Sequence, residues 1–299
     1  MSDGSKIEWL HDGVKKALTW NPTTGCTKVS AGCKNCYAKK EWIRLSANPK
    51  SVYYGRKFED VAMHPERLIV PLLMTKPRRI FVDSMSDLFH DDIEDMFIVA
   101  VLGVAAIASQ HTFIILTKRA DRMRVVLCML SNRSPRHDIA AAFKRYGLEG
   151  YIDKLPQTLT WPLPNVQLGV SVESREFLPR VVELRKTPAA VRVISAEPLL
   201  EDLGEFDLAG IDQVFGGGES GHKARPSTVA ALRSLRDQCR HQGTAFFFKQ
   251  WGEWAPASEV AKEHWRNPHD YVDGVYMMRV GKKNAGRKLD GVEHSELVA

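Results

Sequence analysis

Residues 79–87 read Arg-Ile-Phe-Val-Asp-Ser-Met-Ser-Asp. An apolar, β-forming run stops there on a polar cluster, the pattern of a buried strand whose end carries functional groups. Outward along the chain the same pattern recurs at 17–20, 112–116, 166–170, 191–194, 213–215 and 245–248. The stretches between are long enough for helices. Three carry helical marks: 93–109, with an apolar face after Asp91 and Asp92; 175–185; and 227–242, which follows Pro226. Alternating strands and helices imply right-handed parallel crossovers, either in an open doubly wound sheet or in a complete or partial barrel. The strand ends decide between these. Asp83 to Asp87, Thr117-Lys118-Arg119, Ser171-Val172-Glu173, Ser195-Ala196-Glu197-Pro198, Gly218-Glu219-Ser220 and Lys249-Gln250-Trp251 each follow an apolar strand directly. A barrel's carboxyl-end face is where groups from so many strands meet on one rim. The expected fold is α/β, a partial (βα)6-type TIM barrel of six or seven parallel strands.

The chain has 299 residues, a length that one such barrel with insertions accommodates. The core is expected over 1–252, with an insertion at about 131–164 between the third and fourth strands and a C-terminal extension over 253–299 that is polar and frayed at its end. Hydrophobic residues make up 44% of the chain, enough for a sizeable core, yet no apolar run is long enough to span a bilayer and none follows the polar start MSDGSKIEW. A soluble, unexported, cytoplasmic protein is expected. A net charge of +6 and a pI near 9.0 favour an acidic partner. Basic pairs recur at Lys39-Lys40, Arg56-Lys57, Arg78-Arg79, Lys118-Arg119 and Lys144-Arg145, although such pairs are more often solvated faces than binding sites.

Five cysteines are an odd number, and three of them fall within eleven residues, which is unlike a secreted disulfide framework and fits metal binding in a reducing compartment. The loop Thr19-Trp-Asn-Pro-Thr-Thr-Gly-Cys26-Thr-Lys-Val-Ser-Ala-Gly-Cys33-Lys-Asn-Cys36-Tyr37 follows the first strand with the spacing C-x6-C-x2-C. Thiolates are soft ligands for zinc or for iron–sulfur clusters. A cubane cluster needs four ligands, so three cysteines leave one iron open for chemistry. The alternative is a zinc knot completed by His64, His90, Cys128 or Cys239, although Cys128 and Cys239 lie in helical runs where a thiol usually serves as a small hydrophobe.

A three-cysteine loop after the first strand of a partial barrel resembles the radical S-adenosylmethionine superfamily. More narrowly, TWNPTTGC and GCKNCYA, followed by FVDSMSDLFH, FIILTKR, LGVSVES, ISAEPLL, VFGGGESG and FFKQWG, resemble a phage-encoded branch of it over about residues 17–254. The resemblance implies a 4Fe–4S cluster on Cys26, Cys33 and Cys36, S-adenosylmethionine as cosubstrate, and a reducing donor such as flavodoxin or ferredoxin. It implies a substrate in DNA or a modified nucleotide, with a radical isomerisation of an amino-acid adduct of thymine in phage DNA and the host cytoplasm as the location. The superfamily's usual spacing is C-x3-C-x2-C, so the first gap here is longer. Its usual Gly-Gly-Glu element ends the second strand, whereas here Gly217-Gly218-Glu219 lies four strands later.

By resemblance of strand position, Ser84 and Asp87 are expected to contact the methionine moiety, and Ser171 and Glu173 the ribose or carboxylate region. Each could instead cap the helix that follows. Glu197 and Glu219 are rim carboxylates able to hold an amine, and Lys118 and Lys249 can neutralise a substrate carboxylate or phosphate; the same groups could equally pair with one another or with Arg119. Trp251 and Trp254 can stack on a base or close the core. The run GGGESG lacks the G-x-G-x-x-G register of a dinucleotide loop, and no serine sits in a nucleophile elbow. The rivals are another radical enzyme, such as a photoproduct lyase or a tRNA-modifying enzyme, and a non-catalytic zinc-bearing nucleic-acid-binding module.

Overall fold

In the computed structural model, which describes residues 7–11, 13, 15–265 and 269–298, every apolar run singled out above is a strand. They are β1 (Lys16–Trp20), β2 (Arg78–Val82), β3 (Thr112–Thr117), β4 (Val166–Ser171), β5 (Val191–Ala196), β6 (Gln213–Gly217) and β7 (Ala245–Gln250). Most of their residues are buried whichever way they point, as in β3 and β6, which is why the runs are continuously apolar rather than alternating. The ladders are parallel, and the seven strands keep their sequence order in the sheet. A doubly wound sheet reverses its order at a switch point. An order without reversal, joined by right-handed crossovers, places the crossovers on one face, and the fold is of the partial TIM-barrel class.

The chain divides into two units. The first comprises Met1–Lys28, Ala38–Val170 and Glu183–Arg192. In its ladder Trp20 pairs with Val82, Val82 with Ile115 and Ile115 with Leu168. Helix α1 (Tyr37–Ser46) begins directly after the cysteines, and Trp42 is buried against Tyr53 and Phe58. Helix α2 (Asp95–Ile107) is buried from Phe97 to Ala106, so it is apolar on every face. Helix α3 (Ala120–Ser131) buries Met123, Val126, Leu127 and Leu130. The expected insertion at 131–164 contains a fourth helix, α4 (Pro135–Arg145), whose Ile139 and Phe143 pack on α2 at Gly103. A Cβ at Gly103 would lie 2.4 Å from Ile139 Cγ2.

The second unit comprises Val29–Tyr37, Ser171–Val182 and Val193–Ala299. Its strands β6 and β7 bury Phe215 against Phe247. The helix expected at 175–185 is divided: a 3-10 turn over Arg175–Phe177 precedes α5 (Pro179–Lys186), because Pro179 donates no amide and restarts the helix. The crossover from β5 to β6 has no helix among its described residues. Helix α6 (Val229–Gln242) is capped by Thr228, whose Oγ1 accepts from the Ala231 amide at 3.0 Å, and stops at Gly243 with φ 72°.

The expectation of a frayed C-terminus is corrected. Strands β8 (Trp254–Pro256), β9 (His269–Val272) and β10 (Val275–Arg279) form an antiparallel sheet in the order β8-β10-β9. The tail then returns along β7. The Phe248 amide donates to the His294 carbonyl at 3.0 Å, and the Gln213 side chain donates to the Glu296 carbonyl and accepts from the Val298 amide, each at 3.0 Å. An edge strand has unpaired backbone groups to satisfy, and the tail satisfies them. Residues 1–6 of the polar start, and 266–268 and 299 of the extension, lie outside the described residues. No helix among those described is long and apolar enough to cross a membrane.

Candidate functional site

In the first unit the chain leaves β1 and reaches Cys26 along a path fixed by backbone bonds: the Gly25 amide donates to the Met85 carbonyl at 3.3 Å and the Cys26 amide to the Phe58 carbonyl at 3.0 Å. Arg119, at the end of β3, stands beside this path. Its Nη1 lies 3.8 Å from Cys26 Sγ and 3.2 Å from Asp87 Oδ2, and its Nη2 donates to Thr27 Oγ1 at 3.0 Å. Burial works against the charge of Arg119, but Asp87 and Cys26 outweigh it, so its pKa is raised above the ordinary value. A fixed positive charge beside a thiol is the environment a thiolate ligand needs. Asp87 is itself saturated, accepting from Thr117 Oγ1 at 2.7 Å and from the amides of Phe89 and Lys118 at 3.0 and 3.1 Å. Ser84 donates to Asn21 Oδ1 at 3.1 Å.

In the second unit two buried carboxylates hold the segment that carries Cys33 and Cys36. Glu173, with no exposed surface, accepts from Ser30 Oγ at 2.8 Å and from Arg180 Nη1 at 2.9 Å. Arg180 also donates to the Ser171 carbonyl at 2.8 Å. Glu219 accepts from Asn35 Nδ2 at 2.9 Å and from Arg225 Nη2 at 2.7 Å, and Arg225 reaches the Ala31 carbonyl at 3.2 Å. Burial would raise the Glu219 pKa, but the bonds from Arg225 and Asn35 hold it below the ordinary value. Glu197 is paired with Lys249, whose Nζ lies 2.6 and 2.8 Å from its two oxygens. Trp251 is buried against Phe248, and its Nε1 donates to the Lys288 carbonyl, so it closes the core.

Each of the four strand-end carboxylates therefore has its own base: Asp87 has Arg119, Glu173 has Arg180, Glu197 has Lys249 and Glu219 has Arg225. The Glu197–Lys249 pair is among the partnerships anticipated from sequence, whereas the Asp87–Arg119 and Glu219–Arg225 pairs are not. Ser30, Asn35, Arg180 and Arg225 were not anticipated. Ser30 precedes Glu173 by 143 positions and Asn35 precedes Glu219 by 184, distances over which no local pattern signals a contact.

All five cysteines are free thiols. Among the described residues no group of three or more His, Cys, Asp or Glu side chains is arranged to hold a metal ion. The loop thiols thus fit an iron–sulfur cluster by donor chemistry and number, not as a preformed cage. Three of the four residues that would complete a zinc knot are otherwise engaged. His64 and His90 bond to Thr24 and Thr27 at 2.7 and 2.8 Å, and burial pushes the Cys239 thiol up to about 12, which keeps it protonated.

Fold and site together define an α/β partial barrel with a thiol loop on the connection that follows its first strand. Within that class the chain belongs to the family described as "Protein of unknown function (DUF5131)", whose model matches residues 4–298. No curated protein matches it. Among solved structures it is similar to a cysteine-to-serine mutant of spore photoproduct lyase, at 11% identity and a TM-score of 0.37, covering 93% of this chain and 72% of that one. It is likewise similar to spore photoproduct lyase complexed with dinucleoside spore photoproduct (10% identity, TM-score 0.38, covering 93% and 72%). A double mutant of that lyase with bound AdoMet and the dinucleoside overlaps at 11% identity and a TM-score of 0.37, over 92% and 71%.

Proposed function

We propose that the chain is a radical S-adenosylmethionine enzyme acting on a nucleobase in DNA or on a modified nucleotide. The observation that carries this reading is the loop itself: three free thiols directly after β1 of a sequential parallel sheet, with Arg119 beside the first. When bound, a 4Fe–4S cluster on Cys26, Cys33 and Cys36 supplies the electron that splits S-adenosylmethionine into methionine and a 5′-deoxyadenosyl radical, which then abstracts hydrogen from substrate. The protein's share is to bind, orient and exclude water. Ser84 and Ser171, at the ends of β2 and β4, are assigned to the cosubstrate, as is Asp87 by exchange of one of its four present bonds, and Lys118 to a substrate carboxylate or phosphate. Glu197 and Lys249 hold each other until a zwitterionic substrate exchanges with the pair, its amine going to Glu197 and its carboxylate to Lys249. The finer reading is isomerisation of an amino-acid adduct of thymine in phage DNA, with flavodoxin or ferredoxin as electron donor in the host cytoplasm, a catalytic core over 1–252 and an extension over 253–299.

Anaerobic purification and reconstitution test this. The protein should be brown, hold iron and sulfide, and release 5′-deoxyadenosine under reduction. The Cys26→Ala, Cys33→Ala and Cys36→Ala variants should each lose iron and product to background, while Cys128→Ala and Cys239→Ala retain both. A colourless protein holding stoichiometric zinc, or full turnover in Cys33→Ala, would overturn the reading. Dinucleoside spore photoproduct and thymine-modified DNA are the substrates to offer first.

A further inference from the structure

We infer that Glu173 and Glu219 are positioning residues that fasten the Cys33–Cys36 segment at its two ends. Glu173 has no exposed surface and both its oxygens are engaged, Oε1 by Ser30 and Oε2 by Arg180. It is also pressed against the backbone between Ser30 and Cys33: a Cβ on Gly32 would lie 2.4 Å from Glu173 Oε1 and 2.6 Å from its Cγ. Only glycine leaves room there, because a carboxylate held at both oxygens cannot swing aside. Ser30 Oγ, which donates to Glu173, also lies 3.5 Å from Cys33 Sγ, so the anchor adjoins the sulfur. Glu219 acts at the other end. It accepts from Asn35, the residue before Cys36, while Asn35 Nδ2 also donates to the Lys223 carbonyl at 2.8 Å. The Arg225 that neutralises Glu219 reaches over to the Ala31 carbonyl, which ties both ends to one guanidinium–carboxylate pair.

Two ion pairs, Glu173–Arg180 buried and Glu219–Arg225 half-buried, each with a bond to spare for the loop, restrict the freedom that two thiols would otherwise lose on taking up a metal. Organising ligands before binding saves that entropy. As metal-loop anchors these residues rest on the cluster reading above; as anchors of the loop they do not. The test separates the two. Ser30→Ala and Asn35→Ala remove the loop's side of each contact and leave both ion pairs intact, so the fold survives. Glu173→Gln and Gly32→Ala probe the same anchor from the other side.

In metal-free protein, alkylation of Cys33 and Cys36 followed by peptide mass spectrometry should run roughly tenfold faster in Ser30→Ala and Asn35→Ala than in wild type. Tenfold corresponds to about 1.4 kcal/mol, near the lower bound of what a hydrogen bond to a charged group contributes. Cys128 should react at the wild-type rate. Iron bound per chain on anaerobic reconstitution should fall by at least half, and Ser30→Thr, which keeps the hydroxyl, should restore it. Unchanged alkylation of Cys33 and Cys36 in both variants would overturn the inference. A wild type that takes up no iron, with alkylation still accelerated in the variants, would leave the anchors standing and remove the cluster reading.

Discussion

At the end of β2 the chain turns through Asp83 with φ 58°, a conformation Asp and Asn tolerate better than other non-glycine residues. Its Oδ1 accepts from the Thr23 amide at 3.0 Å, while its Oδ2 is buried without a partner. Burial pushes this carboxyl up to about 7; bonds from Thr23 and Ser86 pull it back only in part, and the charge on Asp87 adds to the rise. An unfolded Asp titrates near 3.9, so from about pH 4 to pH 7 the folded state keeps a proton the unfolded state has lost. Stability attributable to Asp83 therefore falls as pH rises across that window, and the cost of burying the charge is complete above it. Asp83→Asn keeps the shape and the Thr23 bond without the charge. It should raise Tm by several degrees at pH 8, at roughly 2–4 °C per kcal/mol, and by almost nothing at pH 4. Melts of both proteins from pH 4 to 8 check this, and curves that stay parallel would mean Asp83 titrates as an ordinary carboxyl. The chemistry-bearing residues were legible in sequence as types: thiols in a loop and carboxylates at strand ends. The partners of Glu173 and Glu219 were not, because Arg180 and Arg225 look like ordinary helix and loop cations until the chain folds over Ser30 and Asn35.

Helix α2 shows how a small residue sets the spacing of two elements. Gly103 faces α4, and a methyl group there would meet Phe143 Cε1 at 2.7 Å as well as Ile139 Cγ2. Both side chains are fully buried, so neither can rotate away. Alanine is the better helix former by about 1 kcal/mol, but overpacking a core costs roughly 1–3 kcal/mol, and the second effect should win. Gly103→Ala should lower Tm by a few degrees, and Gly103→Ala combined with Ile139→Val should recover part of the loss. A single variant that melts above wild type would show that α4 moves freely. The strands were legible because parallel strands are buried on both faces and leave continuous apolar runs. Helix α4 was hidden in an apparent insertion, since its apolar residues run together over 139–143 without helical spacing and Pro135 and Ser134 look like loop residues until they act as a helix start. The antiparallel strands β8–β10 were missed for a different reason. Their exposed positions, such as Tyr271 and Tyr276, break the alternation by which half-buried strands are recognised.

For the whole molecule, the net charge of +6 invites a polyanion, but much of the basic content is used internally. Lys39 pairs with Glu59, Arg145 with Glu94 and Arg119 with Asp87, and Arg79 is buried. In the pairs singled out from sequence, Lys40, Lys57 and Lys144 remain exposed, and all three belong to the first unit. Each phosphate neutralised on duplex DNA contributes about −0.9 to the slope of log K against log salt. If these three lysines are the ones that meet phosphates, the slope should be about −2.7, and single replacements by alanine should each make it shallower by about 0.9. Affinity would then fall about fortyfold between about 50 and 200 mM salt, by the same relation. Anisotropy titrations of a labelled duplex and a single strand over that range measure it directly. A much steeper slope would place further cations on the nucleic acid. Absence of binding to either strand form at low salt would redirect the search to a free nucleotide, whose recognition needs a closed site rather than a charged surface.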